Sequence, residues 1–132
     1  MDAGPQNLTG VWQGLFSYPH CYRAAPFTAT LIQVGACFTG STTETAVGGP
    51  RDGMVVSALL SGRRVGRHVT FTKQYEGPEE PNHLVEYEGS LSDDFMEIDG
   101  RWFIPGNWAG RFLMIRSGGR SVEAAREAFE KA

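Results

Sequence analysis

The sequence has little cysteine, no long apolar run and no excess of basic residues, and each scarcity excludes a class of protein. Its two cysteines, Cys21 and Cys37, stand in no CxxC or metal-spaced pattern, so no metal centre or disulfide framework is predicted. No apolar run approaches the ~20 residues that a membrane-spanning helix needs. The formal net charge of −3 argues against a surface for nucleic acid or an anionic membrane.

The N-terminal residues MDAGPQN carry neither a basic start nor an apolar core, so the sequence shows no secretory signal peptide. We therefore expect a cytoplasmic protein in which both cysteines are free thiols. Export is left open, and it would favour a disulfide between Cys21 and Cys37.

Glycine is the residue in excess, with 17 among 132 residues, and it falls singly between short apolar stretches. Together with Pro, Asn and Asp, this spacing is typical of turns between strands. The last residues differ, because Ser121 followed by an alanine-rich amphipathic stretch predicts a helix over about residues 120–131. Strands are predicted over residues 10–18, 26–34, 36–45, 54–61, 68–75, 84–91, 95–104 and 108–116.

Eight short strands joined in order predict an all-β fold, an eight-stranded antiparallel up-and-down β-barrel with a short C-terminal α-helix. We expect one domain over residues 1–132, with the barrel over about residues 8–117. Closure of the barrel would remove the exposed strand edges that invite aggregation. An open sheet or a two-sheet sandwich is the alternative, but a sandwich usually needs crossing connections, whereas the gaps here are short.

The stretch LTGVWQGLF places Trp12 between two glycines at the start of the first strand. In a closed barrel the last strand pairs with the first, so Arg116 would lie against the indole at one end, which we call the floor. We expect Gly10 and Gly14 to leave room for this indole. The longer loops gather at the opposite end, which we call the mouth and where ligands would enter.

The segment Gly10-Val11-Trp12 at the start of the first strand and Arg116 at the end of the last resemble the signature of the calycin superfamily. This group includes the lipocalins, the fatty-acid-binding proteins and the avidins. The resemblance covers about residues 8–117, and it implies a lipocalin-like barrel that holds a small hydrophobic or amphipathic molecule. The stretches LTGVW and FTGSTTETAVG are similar to the opening strands of avidins.

Two particular calycin ligands are not expected from the residues present. The polar residues with which avidins hold biotin are replaced here by Gly14, Phe16 and Tyr18, and Phe71 replaces the tryptophan of their middle strand. Haem-binding calycins of the nitrobindin type use a histidine of the late strands, whereas the three histidines of this chain lie near predicted loops.

Alternation with a period of two assigns side chains to the inner face of the barrel. Large inward residues alternate with glycines, and a glycine without a ligand or a bulky neighbour costs packing energy, so we favour a lined cavity. The alternative is that the rings fill the interior. The predicted ligand-binding residues are Phe16, Tyr18, Phe71, Lys73, Tyr75, Tyr87, Trp102, Trp108, Phe112 and Met114.

Lys73 is the anomaly among these residues, because it shares the inner face with Phe71 and Tyr75. An unpaired buried ammonium is costly, so it should pair with a carboxylate or an anionic ligand, or else extend to water. In the ligand hypothesis Lys73 is the counter-charge for an acid group, helped by the phenols of Tyr75 and Tyr18.

Three functions fit these features, and binding of a small hydrophobic or amphipathic ligand is the first. The second is an isomerase or hydrolase acting on an enclosed small molecule, but no Ser-His-Asp or Cys-His arrangement is recognisable, so we predict no catalytic residue, metal or cofactor. The third is a structural or oligomerising module with a filled core. Outward apolar residues such as Leu15, Phe95 and Phe103 would form the interface of such a homo-oligomer.

Overall fold

The computed structural model describes residues 7–17, 24–45, 52–76, 84–106 and 108–131. Eight strands form a closed barrel in which each strand pairs antiparallel with the next and β8 pairs with β1, which confirms the predicted fold class. Among the described residues, no helix is long and apolar enough to cross a membrane. The elements are β1 (Gly10–Phe16), β2 (Ala25–Val34), β3 (Cys37–Thr45), β4 (Val55–Val65), β5 (His68–Tyr75), β6 (Leu84–Leu91), β7 (Glu97–Phe103), β8 (Ala109–Arg116) and α1 (Val122–Lys131).

The turn between β4 and β5 is shorter than predicted. The stretch GRRVGR was expected to be a loop, but β4 continues to Val65, and only Gly66 and Arg67 lie between the two strands. Gly66 has a φ of 60°, a left-handed conformation that glycine adopts at little cost. Because two-residue hairpins favour such conformations, β4 and β5 pair up to their ends.

The floor of the barrel is built around Trp12, which is fully buried and lies opposite Arg116 in the β1–β8 register. The guanidinium carbon of Arg116 lies 4.6 Å from the centre of a ring of the indole. The indole Nε1 donates to the carbonyl oxygen of Leu8 at 3.0 Å. The same guanidinium donates to the backbone carbonyls of Asn7 and Thr9, so it holds the segment just before β1 against the floor.

The two glycines beside Trp12 have different roles, and the expectation for Gly14 was wrong. A Cβ atom on Gly14 would lie 2.1 Å from the ring of Phe27, so this glycine makes room for Phe27 rather than for the indole. Gly10 has a φ of 143°, which favours glycine, and its Cβ position would lie 3.9 Å from Arg116 Nη1. Gly10 therefore sets the backbone direction at the entry to β1.

Helix α1 covers the outer face of β1 and β8. Ala125 and Phe129 of the helix pack with Leu15, Leu113 and Ile115 in a second apolar cluster outside the barrel. Leu15 is therefore buried, at 1% exposure, and the expectation that it forms a free outer surface was wrong. Burial on both faces also explains why β8 does not alternate regularly between exposed and buried residues.

Candidate functional site

One part of the barrel interior is packed by its own aromatic rings. Phe71 and Tyr87 are stacked with their ring centres 4.6 Å apart. Phe112 meets both of them edge-on, at 5.9 Å and 5.0 Å, and Phe38 lies edge-on to Phe71 at 5.8 Å. Such offset and edge-to-face pairs are favourable beyond the area they bury. This region of the interior is therefore filled.

The inward glycines do not mark empty space, which corrects the reason given for a cavity. A Cβ atom on Gly89 would lie 2.9 Å from the ring of Phe112, and one on Gly110 would lie 2.6 Å from the indole of Trp102. Each of these two glycines has the bulky neighbour that makes its small size favourable. The glycines therefore support the filled interior rather than a cavity at their positions.

A buried ion pair lies on the mouth side of these rings. Lys73 Nζ is 3.0 Å from Glu44 Oε1, and the two side chains are 1% and 4% exposed. The Tyr75 hydroxyl donates to the other carboxylate oxygen, Glu44 Oε2, at 2.8 Å. Lys73 therefore does not extend to water, and its partner is a carboxylate of the same chain.

Four aromatic rings surround the ammonium group of Lys73. Their centres lie 4.9 to 5.3 Å from Nζ, within the range of cation–π attraction. The ammonium is thus attracted both by rings from four different strands and by the carboxylate of Glu44. This attraction offsets part of the cost of removing the charges from water. The four rings belong to Phe16, Phe27, Tyr75 and Tyr87.

The surroundings change the proton affinity of three groups in this cluster. Burial alone would lower the pKa of Lys73, but the nearby phenols of Tyr87 and Tyr75 and the carboxylate of Glu44 outweigh it, and the pKa is raised. Burial raises the pKa of Tyr75 and of Tyr87, because it disfavours the phenolate, although the charge of Lys73 acts in the opposite direction. At neutral pH the ammonium is charged and both phenols are neutral.

These raised pKa values predict a loss of stability in alkali. Unfolded Lys and Tyr side chains lose their protons near pH 10, whereas Lys73, Tyr75 and Tyr87 hold theirs to higher pH in the folded protein. Their contribution is therefore fully present below about pH 10 and is lost as the pH rises above it. Each group adds up to about 1.4 kcal/mol per pH unit to the fall in the free energy of unfolding, with the full slope reached well above pH 10.

Urea unfolding at pH 8 to 11.5 measures this slope. In Tyr87→Phe the slope well above pH 10 should be shallower by at least about 1.4 kcal/mol per pH unit, because one titrating group is removed and Lys73 loses a neighbour that raises its pKa. Parallel curves for wild type and Tyr87→Phe would contradict the raised pKa of this phenol.

Thr42 is a second polar group on the same inner face, two residues before Glu44. Its hydroxyl oxygen is buried and has no hydrogen-bond partner among the described residues. In the register Thr42 lies between Ala29 and Ala58, both fully buried and small. A buried hydroxyl without a partner costs about 1–3 kcal/mol. A small polar group that hydrogen-bonds to this hydroxyl would offset that cost.

Sequence reasoning identified part of this site. Among the predicted residues, Phe16, Lys73, Tyr75 and Tyr87 meet at the ion pair, while Phe71, Trp102, Phe112 and Met114 belong to the packed interior. Trp108 lies just before β8 and is 51% exposed, and Tyr18 falls outside the described residues. Cys37 is an exposed free thiol, whereas Cys21 also falls outside the described residues.

Glu44 and Thr42 were missed, although a signal for them existed. Both alternate with Phe38 and Gly40 along β3 and so share the inner face. Because both faces of β3 carry polar residues, the sequence showed no alternation of polar and apolar residues that would reveal the inner face. In the described parts of the chain, no three His, Cys, Asp or Glu side chains come together as a metal site.

Comparison with known proteins gives a likeness of fold. A solved structure of a redesigned beta barrel matches with a TM-score of 0.70 over 89% of this chain and 97% of that chain. The two sequences are 13% identical, so the likeness concerns the fold alone. No family model and no curated protein matches the sequence.

Proposed function

We propose that the protein binds a small uncharged amphipathic molecule in the mouth half of the barrel. Its polar group would contact the Glu44–Tyr75 pair and the hydroxyl of Thr42, and its apolar body would lie against Phe16 and Phe27. The observation that carries this proposal is the buried pair of Lys73 and Glu44 inside an otherwise apolar interior.

A buried ion pair is a poor device for stability alone. The cost of removing two charges from water is of the same order as their attraction, and apolar residues of similar volume often give an equal or more stable protein. Polar groups that converge within an apolar enclosure are instead typical of small-molecule sites. Lys73, Glu44 and the hydroxyl of Thr42, which has no partner among the described residues, lie on the inner face and would provide such a set of groups.

The charges of the cluster argue for a neutral ligand. Lys73 and Glu44 already compensate each other, so an acid would be repelled by Glu44 and an amine by Lys73. A third buried charge would have no counter-charge, which costs several kcal/mol. An alcohol or an amide, by contrast, can hydrogen-bond to Thr42 and to Glu44 without adding charge. The hypothesis of Lys73 as counter-charge for an acid is therefore disfavoured.

The contact of Arg116 with Trp12 supports membership in the calycin superfamily, which remains part of this proposal. In that group the barrel encloses one small apolar or amphipathic molecule. The mouth-side position of the polar cluster agrees with such a use, because β1, β3 and β5 all run from the floor towards the mouth.

A ligand series with one alkyl chain and four head groups tests the proposal. We expect the alcohol and the amide to bind at least about tenfold more tightly than the carboxylate and the ammonium, since each tenfold corresponds to about 1.4 kcal/mol. Calorimetric titration measures the affinities, and emission from Trp102, whose ring lies 6.3 Å from that of Phe16, gives a second readout. Equal binding of all four head groups would contradict a neutral ligand, and no binding would contradict the proposed function.

Thr42→Val separates binding from stability in the same assay. It removes a hydroxyl that has no partner in the described part of the chain and keeps the side-chain shape. We therefore expect unchanged or higher stability and about five- to tenfold weaker binding of the alcohol. Thr43→Val is the matched control, because Thr43 is the next residue of β3 and faces outward. Its affinity should equal that of wild type.

A structural module with a filled core is the second candidate function. The stacked rings and the aromatic neighbours of Gly89 and Gly110 favour it. It predicts that the four ligands leave both the melting temperature and the Trp102 emission unchanged.

A further inference from the structure

The outer face of four adjacent strands is almost without charge. On β2, β3, β4 and β5 this face carries one permanently charged side chain, Arg63, at the floor end. Most of the other side chains are Thr, Ser or apolar residues. We call this surface the uncharged wall. It consists of Pro26, Thr28, Thr30, Ile32, Val34, Cys37, Thr39, Ser41, Thr43, Thr45, Val55, Ser57, Leu59, Ser61, Arg63, Val65, His68, Thr70, Thr72 and Gln74.

The remaining outer faces of the barrel are either covered by the helix or carry charged side chains. Helix α1 covers β8 and β1, and the exposed faces of β6 and β7 carry charges such as Glu86, Glu88, Asp99 and Arg101. The uncharged wall is neither covered by a helix nor lined with charged side chains, although it holds most of the large exposed apolar side chains of the described residues. Ile32, Val34, Val55, Leu59 and Val65 are between 55% and 76% exposed. These apolar side chains stand among Ser and Thr residues on four uncovered strands. Together they make a broad uncharged surface, which is a candidate interaction surface.

We infer that the uncharged wall docks against the same wall of a second copy of this chain. A hydroxyl both donates and accepts hydrogen bonds, so a surface rich in Ser and Thr is complementary to itself, which a surface of donors or acceptors alone is not. Short β-branched side chains also lose little conformational entropy when they are buried. In this arrangement the charged walls of both copies face away from each other, so the net charge of −3 on each copy opposes the contact only weakly once salt screens it.

The size of the wall fits such an interface. It offers about twenty side chains on four of the eight strands, so a contact that covers most of them approaches the ~20–30 residues that stable interfaces use on each side. Two β-sheets pack face to face with their strands at about 30° to each other, which a two-fold axis through the centre of the wall allows. Ser61 lies near this centre, in one cross-strand row with Thr39 and Ile32.

The mass in solution tests the inference. Sedimentation equilibrium of the full chain from 1 to 200 μM should give twice the monomer mass for wild type. Ser61→Lys would bury two unpaired ammonium groups in the interface, so we expect its dissociation constant to rise at least ~100-fold. Ser90→Lys is the matched control, since Ser90 is an exposed strand residue on β6, and it should dimerise as wild type does.

A wild-type monomer at every concentration would overturn the inference, and so would an equal loss of dimer in Ser61→Lys and Ser90→Lys. Far-UV circular dichroism of both variants verifies that the barrel is folded. The outcome is independent of the proposed ligand, because every side chain of the wall points away from the interior.

Discussion

Replacing Lys73 with methionine is expected to lower the free energy of unfolding by about 3–5 kcal/mol, although methionine fills a similar volume. The loss arises because Glu44 would remain buried without its counter-charge, with the hydroxyl of Tyr75 as its hydrogen-bond donor. The four surrounding rings would at the same time lose their attraction to the ammonium. Chemical denaturation at pH 7 measures this change.

Two further variants show whether the buried pair is the cause. In the double variant Lys73→Met with Glu44→Gln no uncompensated charge remains, so we expect recovery of most of the lost stability. Arg67→Met breaks the exposed ion pair between Arg67 and Asp93, and it should cost less than about 1 kcal/mol. If Lys73→Met costs no more than Arg67→Met, the ammonium is solvated rather than enclosed.

Trp12→Ala is expected to cost about 3–5 kcal/mol, as deletion of a large buried side chain does, and to lower the melting temperature by roughly 10–20 °C. The indole is fully buried, its Nε1 donates a hydrogen bond to the carbonyl oxygen of Leu8, and the guanidinium of Arg116 lies over its ring. Its loss leaves a cavity at the floor and removes the cation–π contact of the guanidinium. Thermal unfolding followed by circular dichroism measures the change.

Trp108→Ala is the matched control for this experiment. It makes the same substitution at a tryptophan that is 51% exposed, just before β8. We expect its melting temperature to lie within a few degrees of wild type, because little apolar area leaves the interior. A small shift for Trp12→Ala, close to that of Trp108→Ala, would mean that the indole does not seal the floor.

The local pattern of the chain predicted the inner faces of the strands, but it did not predict which outer faces another element covers. Alternation assigned Lys73, Tyr75 and Tyr87 to the inner face, and they lie there. On β8 the alternation is lost, because α1 packs on the outer side, and Leu15 of β1 is covered for the same reason. Propensity and period describe one strand at a time, whereas cover by a distant helix depends on how the completed barrel packs.

The sequence by itself determined the number and order of the strands, the inner and outer faces of most of them, and the pairing of the first strand with the last. The strands and their faces follow from turn residues and a period of two, which act between neighbours in the chain. The pairing of β1 with β8 was predicted instead from closure of the barrel, for which Gly10-Val11-Trp12 and Arg116 were the sequence signal. Only the tertiary structure decided that Glu44 is the partner of Lys73, and that rings rather than a ligand cover Gly89 and Gly110. Such contacts join residues on different strands, and they depend on the stagger of a closed barrel, which sets the inward side chains that share a level.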